Sequence, residues 1–290
     1  HMLYKYAVLF LLITLSAGVA KAESSGDEPW REEMKKLIYS SRYFGPNALP
    51  IPTMHSGSVS NRWEVEVRGE YHRYSGDKTK NWYGRLYIPL VNNRVAVEVS
   101  CTLETEFETT PETKAERFAA GTKNWDNILG DVIIGTHYQI LRSEKWVDLV
   151  GRMYIRTATG QRLALARYTD AAGYWFDLTF GKDLLKSTDG TASLRVHGMG
   201  GFYCWMTNSL VHRQDDAYSY AIGLTGKYKN LMLQTDYAGY TGYENNGDRP
   251  RVLRSNLSYE LKKNILSFKY SHGMRDNLYD SYSIGYIRCF

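Results

Sequence analysis

Tyr282-Ser283-Ile284-Gly285-Tyr286-Ile287-Arg288-Cys289-Phe290 has a period of two. Tyr282, Ile284, Tyr286 and Phe290 share one face, broken only by Arg288, while Ser281, Ser283 and Gly285 share the other. Successive side chains of a strand point to opposite faces, so this stretch reads as a strand with one apolar and one polar side. The decisive question is which side meets solvent.

The same unit recurs upstream to Arg62: about ten alternating residues, then a turn. Trp63, Val65, Val67, Gly69 and Tyr71 alternate with Glu64, Glu66, Arg68, Glu70 and His72. After Asn92-Asn93, Val95, Val97, Val99, Cys101, Leu103 and Phe107 alternate with Glu98, Ser100, Thr102, Glu104 and Glu106. Further strands are expected at 82–90, 131–141, 146–157, 174–183, 192–205, 217–228, 231–240, 252–261, 265–273 and 281–290. That makes about twelve, an even number, as single-chain membrane barrels require. Short connections such as 91–94, 142–145 and 229–230 alternate with longer polar ones at 75–81, 109–129, 158–172, 206–216, 241–251 and 274–280. Tight turns at one end and longer loops at the other are the barrel pattern. Aromatics cluster near strand ends (Tyr71, Tyr74, Trp82, Trp146, Tyr174, Tyr218, Tyr220, Tyr259 and Tyr282), as interfacial girdles do.

Composition narrows the class. Lys5, the apolar run Ala7–Leu15 and Ala20-Lys21-Ala22 form a secretory signal pattern ending at 22, and His1 before Met2 reads as a cloning remnant. That run is too short for a transmembrane helix, and no longer one follows. The net charge of +5 comes without a basic, aromatic-interleaved patch, so no nucleic-acid partner is expected. Three cysteines, Cys101, Cys204 and Cys289, make an odd count that argues against a disulfide framework.

The chain therefore divides into 1–22 (remnant and signal), 23–61 (an N-terminal periplasmic segment) and 62–290 (the barrel). A helix start is expected around Ser25, with Trp30, Met34, Leu37 and Ile38 on one side. Pro46, Pro50 and Pro52 keep the following stretch out of a central strand. Its apolar residues suggest a plug, a cover over the periplasmic mouth, or a docking segment.

The closing strand, signal and hairpin series resemble a Gram-negative outer-membrane β-barrel of the twelve-strand size. The stretch Phe44-Gly45-Pro46-Asn47-Ala48-Leu49-Pro50-Ile51-Pro52 resembles that of barrels from Bacteroidota. The resemblance implies an all-β antiparallel transmembrane barrel in the cell outer membrane. It also implies contact with membrane lipid and lipopolysaccharide, and delivery to the barrel-assembly machinery through the C-terminal strand.

With the apolar set outward, the lumen face can be read directly. Glu66, Glu98 and Glu104 are expected to face Arg152, Arg156, Arg195 and His197 across the barrel, with Arg68 and Arg85 partly offsetting the acidic side. Segregated charge would set a transverse field in an aqueous pore. Alternatively, salt-bridged side chains fill a narrow lumen. The first reading implies passive passage of small polar or charged solutes. A non-conducting accessory subunit with an outer-membrane protein partner is the second, and a lipid or lipopolysaccharide hydrolase the third. For the third, His137, His197 and His212 with Asn208, Ser209, Asp215 and Asp216 are the available groups. They form no nucleophile motif, so no catalytic residue is assigned. No cofactor is expected. No His or Cys pair has metal-ligand spacing, so no metal is expected either.

Overall fold

The two-residue period folds into one continuous sheet. In the computed structural model, which describes residues 35–91, 93–120, 124, 127–209 and 212–290, twelve antiparallel strands close on themselves. They are β1 (Glu64–Tyr74), β2 (Asp77–Pro89), β3 (Val95–Thr109), β4 (Val132–Leu141), β5 (Asp148–Arg156) and β6 (Gly173–Lys186), followed by β7 (Ala192–Met206), β8 (Gln214–Tyr228), β9 (Leu231–Gly242), β10 (Arg251–Leu261), β11 (Asn264–Arg275) and β12 (Asp280–Cys289). β12 returns to β1, with Glu64 opposite Cys289 and Arg73 opposite Asp280. Closure gives every strand a hydrogen-bonded neighbour on both sides, the condition a sheet must meet in lipid. The signal and remnant expected at 1–22 lie outside the described residues, as does most of the helix expected from Ser25. Leu37–Tyr39 are not helical. All three cysteines are free thiols.

The apolar set faces outward. Val67, Met153, Phe176, Ile222, Leu233, Phe268 and Ile284 are all exposed, Ile284 at 72%. Trp146, Tyr228, Tyr259 and Tyr286 are exposed near the end where β12 finishes, and Tyr218 and Tyr282 toward the other. Rings at both margins of an apolar band are the girdles of a membrane-spanning barrel. Tyr74 is an exception among the expected girdle residues: it packs on Tyr279 at 5.6 Å and under Arg117.

The connections sort by end, with one correction. Residues 90–94, 142–147, 187–191, 229–230 and 262–263 make the turn end, where β1 starts and β12 finishes. The opposite, loop end carries 110–131, 157–172, 207–213, 243–250 and 276–279. The loop expected at 75–81 is instead the tight turn Ser75-Gly76, with Gly76 at φ +83°. β2 starts five residues earlier than its apolar alternation suggests, because Asp77–Asn81 are polar on both faces. A short helix, α1 (Pro111–Glu116), capped by Thr110, begins the loop after β3.

The buried apolar core lies between the lumen wall and the N-terminal segment. Leu49 packs among Tyr154, Trp175, Tyr203, Trp205 and Tyr240. Met54 packs against Met199, Ala221, Ala238 and Val252, and Val59 against Tyr87, Ala96 and Val150. Small inward residues on β8 and β9, such as Ala217, Ala221 and Ala238, leave the room that the segment takes up. Gly57 marks its tightest approach: φ is +78°, and an added Cβ would sit 2.5 Å from the Gly181 nitrogen. Gly57→Ala is expected to destabilise the folded protein by about 1–3 kcal/mol, since it adds both strain and a backbone clash. A thermal midpoint in detergent equal to that of the parent chain would contradict this.

Candidate functional site: a charged cleft along the lumen

The segment does not fill the lumen evenly. Its apolar side chains pack chiefly on β5–β9, and a cavity of about 550 Å³ remains, lined by the segment and mostly by β10, β11, β12, β1 and β2, with Glu98 of β3 at its side. Arg62 and Ile287 line the cavity near the turn end, and Asn277 and Tyr279 near the loop end. One side is hydroxyl- and amide-rich, with Asn256, Ser258, Ser267, Ser271, Ser281 and Ser283. These residues occupy the polar face of the alternation, so the period that selects lipid outside also selects water inside.

Beside this stripe runs a charge ladder. Arg68 reaches Glu66 and Glu70, each at 2.6 Å, and stacks 3.9 Å over the Tyr83 ring. Arg85 reaches Glu64 at 2.6 Å, Glu66 at 2.8 Å and Glu98 at 3.2 Å. Lys269 closes the ladder from β11, 3.1 Å from Glu66. Glu66 is thus buried among three cations, and such a carboxylate is tolerated because its charge is matched on several sides. Lys269 keeps a third of its side chain open to the cavity.

Of the expected site residues, Glu66 and Glu98 line this cleft. Glu104 does not. The register of β3 slips at Leu103: Tyr83 pairs with Thr102, but Trp82 pairs with Glu104. One extra residue on a strand reverses the alternation beyond it. Thr105, Phe107 and Thr109 turn inward and are buried, and Glu104 and Glu106 turn outward beside Lys80 and Trp82.

The expected opposition across the barrel is also corrected. Arg152 makes a bidentate pair with Asp177 on the adjacent strand, at 2.8 and 2.9 Å. Arg156 reaches Asp131 at 2.8 Å, and Arg195 reaches Asp148 at 2.6 Å and Asp183 at 2.8 Å. Arg254 does the same with Asp236 at 2.6 Å. Charge is therefore matched within each wall. His197 bonds the Thr225 hydroxyl at 2.8 Å and is buried.

Sequence reading missed the acids that do this matching: Asp131, Asp148 and Asp177. Aligning β5 and β6 through the hydrogen-bonded ladder places Arg152 opposite Asp177, a signal available once the strands are paired. It also missed a hub at the loop end. Asp77 accepts from Arg117 and Arg167 and from the Tyr279 hydroxyl, joining three loops over the mouth. Outside the strands, burial raises the Asp131 carboxyl above its ordinary range despite Arg156, and pushes the Tyr168 hydroxyl up to about 12.

Of the residues considered for hydrolysis, His137 and His197 stand on separate strands, while Asn208, Ser209 and His212 share the loop after β7, where the His212 nitrogen donates to the Ser209 hydroxyl at 3.3 Å. His137 bonds the Tyr154 hydroxyl at 2.9 Å, His212 lies 3.5 Å from Glu244, and Asn208 donates to the Tyr39 hydroxyl. Among the described residues no group of three His, Cys, Asp or Glu side chains is placed to hold a metal ion.

No family model matches the chain, and no curated protein matches it. Solved structures do. A COG4313 outer-membrane channel from Pseudomonas putida F1 superposes at a TM-score of 0.53 with 13% identity, over 84% of this chain and 97% of that one. The fold is an outer-membrane β-barrel. The NanC porin superposes at 0.50 with 16% identity, over 77% of this chain and 98% of that one. At these identities the likeness is one of fold, and it agrees with the outward apolar band of a membrane-spanning barrel.

Proposed function

We propose that the barrel conducts small polar or charged solutes passively along the cleft between its N-terminal segment and the β10–β12, β1 and β2 wall. The observation that carries this reading is the lining: hydroxyls on one side, and on the other a ladder in which four carboxylates and three cations are closely paired. Such a surface replaces part of a solute's hydration shell without a deep well for either sign of charge, and passage requires binding weak enough to release. Glu66, Glu98, Arg68, Arg85 and Lys269 are the solute-contacting groups. Arg152, Arg156, Arg195 and His197 stand on the occupied side of the lumen, where the first three hold their own carboxylates. Structures similar to this one include proteins described as an outer-membrane channel and a porin, which supports the reading.

Purified protein in a planar bilayer is expected to give small, stable single-channel steps with weak preference for either ion sign. Silent membranes, from protein shown to be folded and inserted, would overturn the proposal and favour a non-conducting accessory role.

A further inference from the structure

We infer that the polypeptide from residue 61 back to Lys35 runs outward through its own barrel, so that Lys35 and Lys36 stand at the loop end, the outer face of the membrane. This is opposite to what the start of β1 suggests, since β1 begins at the turn end. The order of contacts along the segment carries the inference. At the turn end, the Ser60 nitrogen donates to the Tyr87 hydroxyl at 3.0 Å, the Val59 nitrogen to Gln139 at 2.8 Å, and Arg62 pairs with Glu260. Further in, Arg195 donates to the Ser56 carbonyl at 2.8 Å, and Arg254 to those of Pro52 and Ile51 at 3.2 and 3.3 Å. Arg156 then takes the Ala48 carbonyl at 2.9 Å.

At the loop end, Trp205 donates to the Tyr39 carbonyl at 2.9 Å, and the Ser40 and Ser41 hydroxyls donate to the carbonyls of Asn246 and Gly247 at 3.1 Å. Leu37, Tyr39 and Phe44 pack with Leu163 and Ala166 of the loop after β5. The contacts advance in one direction, with no return toward the turn end. Lys35 and Lys36, the first described residues, are exposed.

The lumen wall is suited to hold such a passage. Pro46 sits in a turn that the Ala48 nitrogen closes on the Gly45 carbonyl, Pro50 and Pro52 lie in the turn-free stretch that follows, and all three lower the donor count, leaving carbonyls that need partners. Arginines fixed by their own carboxylates supply donors to those carbonyls at successive depths.

The test is labelling of single added cysteines by a membrane-impermeant maleimide on intact cells, in the full-length chain, with the parent chain and its native thiols as background. Glu244→Cys reports the loop end and Lys262→Cys the turn end. Lys36→Cys is expected to label on intact cells as fully as Glu244→Cys, while Lys262→Cys labels only after permeabilisation. A protease site inserted between Lys36 and Leu37 should be cut on intact cells.

Lys36→Cys labelling only with Lys262→Cys, or labelling only after denaturation, would overturn the inference. So would a swap of the two reference positions with Lys36→Cys following Glu244→Cys, because the chain would then exit into the periplasm. The outcome is independent of conductance, so a silent bilayer recording does not decide it.

Discussion

Deleting residues 35–61 is expected to raise the single-channel conductance at least about threefold, because the deletion opens the half of the lumen that the segment occupies. The barrel should survive the loss. Its strands close through β1 and β12 without help from the segment. The arginines that bond the segment's carbonyls keep their wall carboxylates: Arg156 with Asp131, Arg195 with Asp148, Arg254 with Asp236. What is lost is apolar contact, chiefly around Leu49 and Met54, so a lower thermal midpoint should accompany the higher conductance. Heat-modifiable migration on gels checks that the deleted form is folded. A folded form with unchanged conductance would mean that the segment lies outside the conduction path.

Much of the barrel is legible in the sequence because lipid outside and water inside impose a period of two on every strand. The last strand shows this in its simplest form, with Tyr282, Ile284 and Tyr286 outward and Ser281, Ser283 and Gly285 inward. The strand count follows from the same rule. It fails where both faces are polar. Asp77–Asn81 extend β2 beyond the apolar band, so alternation gives no cue to them. It fails again at the Leu103 bulge, since nothing in Thr102-Leu103-Glu104 announces an extra residue, and every assignment beyond it is reversed.

The segment is a different kind of failure. Its prolines exclude a strand, but its position is set by carbonyl oxygens, which every residue has, and by donors far away in sequence. Arg156 and Ala48 are 108 residues apart. Glu66 and Glu98 were legible as lumen residues beside Arg68 and Arg85, whereas the carboxylates that hold Arg152, Arg156 and Arg195 were not, because pairing depends on which strands are neighbours.

The second large effect is expected at Asp77. Its carboxylate is fully buried and lies 2.5 Å from Arg117 and 2.6 Å from Arg167, whose side chains are 3% and 2% exposed. Tyr279 donates to the same oxygen at 2.9 Å, and the Thr79 hydroxyl to the other at 2.8 Å. One acid therefore compensates two guanidinium groups that have left water. Removing one partner of a buried pair leaves uncompensated charge and costs about 3–5 kcal/mol. Asp77→Asn keeps the shape and leaves both arginines uncompensated, so its cost should fall in that range.

The loss should also be visible as loosening of the mouth. Arg117 follows α1, Arg167 belongs to the loop after β5, and Tyr279 to the loop before β12. Arg167 further stacks 4.3 Å over Phe107, and the Gly45 backbone passes beside its guanidinium. Freed from Asp77, these loops should become protease-sensitive at a temperature where the parent chain resists. Lys78→Ala, one residue along and outward, is the control, and should stay within about 0.5 kcal/mol of the parent. If Asp77→Asn matched that control in thermal midpoint and protease resistance, the hub would not be what holds the three loops together.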